Sequence, residues 1–275
     1  MDAGVIKNFS GDHPITNEVE QFEDWTVTFQ KSHILPSKCT QPCLPTEPCL
    51  FCRFTNELKL EHLPEMVFPH NKLRLEHKSS GCSIEFNALD ALRHVRTTRD
   101  GSLTIASADA WRKAREETGL VENTIGNFDW TFRSDYRGTF TGWRHAPAAA
   151  LGIDTDRLKQ RDKILFYKEL VLYEDELHDN GISLSNVRIR VMSWGFFILL
   201  RHFLRVDGVA LAVYETRMCH DFSTNYVTVE HSCRDGNIPK LELPLAVLKE
   251  PDEVSPHLPL KNFILEKYLF PCLDE

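Results

Sequence analysis

Four cysteines lie close together near the amino end of the chain. Three, five and two residues separate them in the order Cys39, Cys43, Cys49 and Cys52. Four thiolates can hold a structural Zn²⁺ tetrahedrally, and His33 or His62 can replace one of them. Known zinc sites usually separate two tight pairs by a longer loop, and four prolines stiffen this segment. The spacing therefore favours a loop with incidental thiols, and a zinc-dependent interaction module is the alternative.

A second group of potential ligands is an acidic run with one imidazole. It reads Glu174, Asp175, Glu176, Leu177, His178 and Asp179. Carboxylates beside a histidine can bind a divalent metal or transfer protons. No His-Glu-x-x-His pair or nucleophile elbow accompanies them, so the run favours a solvated strand end or an acidic rim that faces a partner. A metal-dependent hydrolase is the alternative.

Four arginines lie in apolar surroundings. Arg188 and Arg190 alternate with valine and isoleucine, and Arg201 and Arg205 lie in the most apolar run of the chain. Burying an unpaired charge is costly, so each guanidinium needs a carboxylate. We expect internal partners among Glu174, Glu176 and Asp207. The alternative is that one arginine binds a carboxylate of a partner protein.

Val213, Glu215 and Arg217 share one face of a predicted strand, because side chains in a strand alternate with a period of two. An apolar, an acidic and a basic side chain in a row can form a peptide-binding edge. They fit a solvated strand face equally well.

The elements that position these residues are mostly predicted strands. Alternating apolar residues predict strands at 25–29, 73–75, 84–86, 103–105, 128–132 and 187–191. Asp207-Gly208 is typical of a turn that joins a long hairpin over 196–206 and 209–217, and 169–177 favours a strand. Predicted helices follow the caps Asn87, Ser107 and Thr155, the last over 156–168, and a short one covers 260–267.

These elements predict an α+β fold: a mainly antiparallel β-sheet scaffold with several short helices packed on it. Residues 1–23 are polar and aperiodic, which predicts a flexible arm. Residues 24–275 are expected to form a single domain, with a Pro/Cys-rich loop over 35–56. No glycine-rich phosphate loop follows a strand, so nucleotide chemistry is not expected.

Composition narrows the classes of partner. A formal net charge of −8 disfavours nucleic acid and anionic membrane surfaces. The longest apolar run, 194–200, is far shorter than the ~20 residues of a membrane helix. The amino terminus has no apolar core of a secretory signal, so we expect a cytosolic protein with reduced thiols.

Several motifs in order carry a resemblance to a known family. They are LPEMVF (63–68), IEFNALDAL (84–92), FDWTFRSDYRGT (128–139), IDTDRLKQRDKILFY (153–167), LYEDELHDNG (172–181), RIRVM (188–192) and FFILLRHFLRVDGV (196–209). Over roughly 63–271 the chain resembles the TOR signalling pathway regulator-like (TIPRL) family. The resemblance implies a non-enzymatic regulator without a cofactor. It implies binding to type 2A-family phosphatase catalytic subunits, including their carboxyl-terminal tail, and an influence on holoenzyme assembly and TOR signalling.

The resemblance also implies where the partner binds. The first candidates are Asp90, Ile153 and the strand with Val213, Glu215 and Arg217, and a second set is Trp130, Tyr136, His178 and Asp179. Arg217 is expected to pair with the terminal carboxylate of the tail. An alternative main partner is the alpha-4 phosphatase-associated adaptor. The family usually has Met at position 213 and Asp at position 215, so partner choice is expected to differ here.

Overall fold

The computed structural model describes residues 16–39, 43, 46–58, 60, 62–96, 104–105, 128–129, 133–147 and 152–271. Every strand pairing in these residues is antiparallel, and the helices are few and short. The predicted α+β class is confirmed. No helix of this described part combines the length and apolar composition that a membrane crossing requires.

A five-stranded sheet has the spatial order β1-β2-β4-β5-β10. Its strands are β1 (Thr16–Phe22), β2 (Trp25–Lys31), β4 (Lys72–His77), β5 (Ser83–Asn87) and β10 (Thr139–Thr141). In β2, buried and half-buried residues alternate, as predicted for 25–29.

An eight-stranded sheet has the order β11-β17-β16-β15-β14-β13-β12-β3. Its strands are β3 (Met66–Val67), β11 (Arg144–Pro147), β12 (Ile164–Asp175), β13 (Gly181–Met192), β14 (Gly195–Val206), β15 (Ala210–Asp221), β16 (Tyr226–Asn237) and β17 (Leu260–Leu269). The predicted hairpin at Asp207-Gly208 joins β14 to β15. Gly208 has φ +70°, which the turn requires and which glycine adopts without strain.

Short elements complete the fold. The helices are α1 (Leu50–Leu58), α2 (Ala88–Arg93), α3 (Thr155–Lys159), α4 (Leu245–Lys249) and α5 (Pro251–Val254). Single turns of 3₁₀ helix span Leu177–Asp179, Ile238–Lys240 and Ser255–His257. Two small pairs join β6 (Val95–Arg96) to β9 (Arg133–Ser134) and β7 (Thr104–Ile105) to β8 (Phe128–Asp129).

The core lies between the two sheets. Trp25 of β2 is 1% exposed, and its ring packs edge-on against Phe196 of β14 with 5.0 Å between ring centroids. Ile198 and Leu200 face the same core. Apolar burial between two sheets is the main stabilising contribution in such a fold.

Two predictions near the amino end are wrong. Thr16–Phe22 form β1 and not part of a flexible arm, because a polar strand can pair at a sheet edge while solvent reaches its side chains. Leu50–Leu58 form α1 inside and beyond the predicted loop, and Phe54 of this helix is buried in the core.

Two helix predictions also need correction. The helix predicted for 156–168 ends at Lys159, and its cap is Asp154, whose carboxylate accepts from the N–H of Arg157. The segment 260–267 lies in strand β17, because pairing with β16 satisfies its backbone. The strand over 169–177 is confirmed as far as Asp175, and the helix after Ser107 lies outside the described residues. One domain over 24–275 stays a prediction.

Candidate functional site

The outer face of the eight-stranded sheet carries a row of aligned polar and apolar side chains. Arg188, Leu199, Arg217 and Glu230 face one another across β13, β14, β15 and β16. Paired residues in an antiparallel sheet point to the same side. Arg217 is exposed, and the other three are half-buried. Phe263 of β17, which is 52% exposed, lies one row away opposite Ser232. We call these five residues the outer platform.

A buried ion pair supports the outer platform. Arg201 donates from Nε and Nη2 to Oε1 of Glu215 over 2.9 and 2.6 Å, and the two residues are 4% and 2% exposed. Nη2 of Arg217 donates to Oε2 of the same carboxylate over 2.7 Å. Both carboxylate oxygens of Glu215 are therefore occupied. Glu215 holds the guanidinium of Arg217 in place while 46% of that side chain stays exposed.

Asp252 of α5 completes this charge network. Its carboxylate accepts a hydrogen bond from Nη2 of Arg201 and lies 3.7 Å from Nη1 of Arg188. The hydrogen bond from Arg201 is the main reason why the pKa of Asp252 lies below its ordinary value. Burial alone would lower the pKa of Arg201, but the bonds to Asp252 and Glu215 outweigh it and raise this pKa. Arg201 and Asp252 thus keep their charges at neutral pH.

The segment around Ile153 forms one border of the outer platform. The Ile153 N–H donates to Oε1 of Glu230 over 2.7 Å. A Cβ at Gly152 would lie 2.3 Å from the same oxygen, so glycine permits this close approach. Farther along, Arg190 donates to the carbonyl of Leu158 over 3.2 Å. These bonds dock the segment on the sheet, and Ile153 itself is only 9% exposed.

The opposite border is the segment with α4 and α5. Leu248, Val254 and Leu258 pack on Phe203 and Val213 in a separate apolar cluster. This cluster buries Val213 completely. The outer platform is therefore an open strip of sheet between two docked segments.

The structure changes what the predicted interface strand can do. Arg217 is accessible, but Val213 and Glu215 are buried and cannot contact a partner directly in this conformation. Of the three side chains only that of Arg217 is exposed, because residues 245–258 cover this part of β15, and partner binding by this strand stays a prediction. Arg217 and Ile153 do lie on the same face, since both adjoin Glu230.

Asp90 lies elsewhere, at the start of α2. Asn87 caps the helix as predicted, since its side chain accepts from the Asp90 N–H. The Asp90 carboxylate accepts from Nδ2 of Asn87, Oγ1 of Thr139 and Nη1 of Arg93 over 2.8–2.9 Å. A carboxylate in the first turn also suits the helix dipole. Asp90 thus links α2 to β10 of the five-stranded sheet and is not part of the outer platform.

The second set of predicted interface residues also contains both buried and exposed side chains. Tyr136 is buried, and its hydroxyl donates to the Glu85 carbonyl over 3.1 Å. His178 is buried as well, whereas Asp179 is exposed. Trp130 lies outside the described residues. Among the three described members of this set, only Asp179 has an exposed side chain.

The acidic run forms a tight connection between β12 and β13. Leu177, His178 and Asp179 all have left-handed backbones with φ between 51° and 66°. The buried carboxylate of Asp175 accepts from the N–H groups of Leu177 and Glu65 over 2.7 and 3.0 Å. Burial raises its pKa to about 7. Within the described residues this run gathers no set of three metal ligands, so its geometry gives the hydrolase alternative no support.

The predicted partners of the buried arginines are partly right. Arg205 pairs with Asp207 over 2.7 Å, as expected. Arg188 pairs with Glu169 over 2.9 Å and Arg201 with Glu215, so the expected role of Glu174 and Glu176 is wrong for these two. The sequence missed Glu169, Glu230 and Asp252 as site residues, because strand register and chain folding, not sequence proximity, bring them to the arginines.

The cysteine cluster comes together more closely than its spacing predicts. The four Sγ atoms of Cys39, Cys43, Cys49 and Cys52 all lie within 4.8 Å of one another. In the part of the chain that the structure describes, this is the only group of three or more potential metal ligands. Its spacing gave a weak signal because α1, which carries Cys52, was not predicted.

Comparison with known proteins identifies relatives along most of the chain. The model of the TIP41-like family matches residues 66–242. The human TIP41-like protein is 40% identical over 255 residues, which cover 91% of this chain and 89% of the relative. The Saccharomyces cerevisiae type 2A phosphatase activator TIP41 is 35% identical over 233 residues, 78% of this chain and 61% of the relative. The Schizosaccharomyces pombe type 2A phosphatase activator tip41 is 31% identical over 215 residues, which cover 75% of this chain and 77% of the relative.

Proposed function

The chain belongs to the TIP41-like family, and from this premise we propose that it regulates type 2A protein phosphatases by binding their catalytic subunit, without catalysis of its own. The names of the two fungal relatives, type 2A phosphatase activators, support the phosphatase as the regulated enzyme. The family match also confirms the resemblance that the sequence motifs indicated. We place this activity in the cytosol and in TOR-linked signalling.

The observation that carries the binding mode is Arg217. Its guanidinium is half exposed on an open strip of sheet and is held by a carboxylate that is itself buried. A positioned arginine binds a carboxylate of a partner at a smaller entropic cost than a freely rotating one. Leu199 lies directly beside it, and Phe263 adds an exposed apolar side chain two strands away on the same face. This arrangement suits the end of a peptide with one terminal carboxylate and apolar last side chains.

We propose that the carboxyl-terminal tail of the catalytic subunit binds there. Arg217 would pair with its terminal carboxylate, and methylation of that carboxylate would remove the charge and weaken binding. Arg217 donates to Glu215 through Nη2 only. Its Nε and Nη1 groups are the donors that we assign to the terminal carboxylate. Regulation of holoenzyme assembly would follow from competition for the tail.

The test is a titration of tail peptides into the purified chain. A peptide with a free carboxylate should bind about tenfold more tightly than its methyl ester, since one charge-assisted pair contributes on the order of 1.4 kcal/mol. Arg217→Gln should abolish the difference between the two peptides. Equal affinities for both peptides on the wild-type chain would remove the carboxylate pair from the proposal.

We assign Asp90 to a second contact with the body of the catalytic subunit. Asp90→Leu should weaken capture of the subunit while the chain stays folded. The Asp90 carboxylate also accepts a hydrogen bond from Thr139, which Asp90→Leu would remove. Asp90→Asn is the matched control, because it removes the charge and keeps the shape of the side chain. Unchanged capture by Asp90→Leu, with a normal melting curve, would reject this position.

The alpha-4 adaptor is the alternative partner. If it were the main one, the tail peptide would not displace it from the chain, and the adaptor would bind without the catalytic subunit. Pull-downs with purified adaptor, purified catalytic subunit and both together distinguish these cases. We expect stable capture of the catalytic subunit alone.

A further inference from the structure

We propose that Cys39, Cys43, Cys49 and Cys52 bind one structural Zn²⁺. The proposal rests on the meeting of four sulfur atoms from two parts of the chain. Cys39 and Cys43 come from the proline-rich segment, Cys49 directly precedes α1, and Cys52 lies in the first turn of this helix. All four residues are half-buried, so the cluster is enclosed but still reachable by an ion.

The distances between the sulfur atoms fit a tetrahedral metal site. A Zn–S distance of about 2.3 Å places the sulfurs of such a site about 3.8 Å apart. The Sγ atoms of Cys39 and Cys49 are 3.7 Å apart, those of Cys39 and Cys43 are 3.2 Å apart, and none of the six separations exceeds 4.8 Å. Shifts of about 1 Å or less would give the tetrahedron its regular form. The 3.2 Å separation is much longer than the roughly 2.05 Å of a disulfide bond.

The surrounding backbone favours thiolates. The N–H of Cys49 donates to Sγ of Cys43 over 3.2 Å. Hydrogen bonds of this kind stabilise a metal-bound thiolate from the second shell. The position at the start of α1 also favours negative charge on Cys49 and Cys52.

The proposed metal would fix α1 against α2. Phe54 of α1 is 2% exposed, and Glu57 accepts from Arg93 of α2 over 2.7 Å. The same Arg93 bonds Asp90 over 2.9 Å. Burial of Phe54 thus fixes the middle of α1, and the ion pair of Glu57 fixes its end. A metal at the start of α1 would fix the first turn as well. The role is structural, because four protein thiolates leave no open position for a substrate.

The direct experiment measures zinc in the purified full-length chain. The chain is loaded with one equivalent of Zn²⁺ under reducing conditions, desalted, and measured by elemental mass spectrometry. We expect about one zinc per chain, as one four-thiolate site requires. Cys43→Ser/Cys49→Ser should retain less than about a tenth of that amount, and the half-buried Cys219→Ser of β15 should retain all of it. A wild-type chain without zinc, or a double variant with full zinc, would overturn the proposal.

A second measurement does not depend on how the variants fold. Co²⁺ added to the wild-type chain should give the intense absorption of tetrahedral thiolate coordination, and Zn²⁺ should displace it. A strong chelator should lower the melting temperature of the wild-type chain but not that of a folded double variant. An intact mass that shows a disulfide in the freshly purified chain, with no cobalt spectrum after reduction, would contradict the proposal. None of these readouts involves a phosphatase, so this result and the proposed function stand or fall separately.

Discussion

The two faces of the eight-stranded sheet are built from alternate residues of the same strands, yet they differ in chemistry. Ile198 and Leu200 of β14 face the other sheet and are at most 4% exposed. Between them Leu199 faces outward beside Arg217. The inner face is closed by aromatic and aliphatic packing, and the outer face is an open strip beside a charge network that the segment with Asp252 covers. The period of two in a strand thus lets one element supply both the core and an accessible outer surface.

The largest expected effect comes from the inner face. Trp25→Ala removes a ring that packs on Phe196, His220 and Trp143, and should lower the free energy of unfolding by about 3–5 kcal/mol. Chemical denaturation measures this loss. The folded fraction should still bind the catalytic subunit with wild-type affinity. A weaker intrinsic affinity would mean that the two faces are not independent.

The next effect concerns the charge network on the covered part of the outer face. Glu215→Gln removes one of the two carboxylates that Arg201 bonds and leaves it with Asp252, which should cost about 3 kcal/mol. Arg201→Met/Glu215→Met removes both charges and should recover much of that loss. The double variant also removes the carboxylate that positions Arg217. It should therefore bind the tail more weakly than the wild-type chain, even though its stability recovers. Recovery of both stability and binding would show that Arg217 needs no anchor.

The pH dependence of stability distinguishes the faces in another way. Burial lowers the pKa of His220 on the inner face to about 4, against an ordinary value near 6.5. Between these values the unfolded chain binds more protons, so the free energy of unfolding falls as the pH decreases. From pH 7 to pH 5 this histidine should account for about 2 kcal/mol of that decrease. His220→Gln should reduce the slope in urea denaturation, and an unchanged slope would contradict the buried neutral imidazole.

The smallest expected effect comes from the border of the outer platform. Gly152→Ala places a methyl group where Oε1 of Glu230 now accepts from the Ile153 N–H. The flexible carboxylate can move away, so the cost should be about 1 kcal/mol, that of one hydrogen bond. Tail affinity should fall slightly as the border loosens. Ser193→Ala, at an exposed turn, is the control, and equal melting temperatures for the two variants would refute this role of glycine.

Residues with strong local signals were predictable from the sequence. The hairpin at Asp207-Gly208, the Asn87 cap and the pair of Arg205 with Asp207 all depend on near neighbours. Strand β17 was not predictable, because Leu260, Phe263 and Ile264, followed by Lys267, also fit a helical period and only pairing with β16 decides between the two.

The candidate site was predictable in part. Arg217 and its exposure follow from the strand pattern and the family motifs. The burial of Val213 and Glu215 depends on residues 245–258, which return to β15 from far along the chain. The gathering of the four cysteines likewise depends on helix α1. This helix was not predicted, because the prolines before it indicated an irregular loop.

The central claim is that the outer face, through Arg217, binds the catalytic subunit of a type 2A phosphatase. Calorimetric titration of the purified subunit into wild type, Arg217→Glu and Lys31→Glu tests it directly. Lys31 is an exposed cation of the five-stranded sheet and controls for the change in net charge. We expect Arg217→Glu to weaken binding at least about tenfold, while Lys31→Glu retains wild-type affinity. Equal affinities of all three chains for the subunit would contradict the claim.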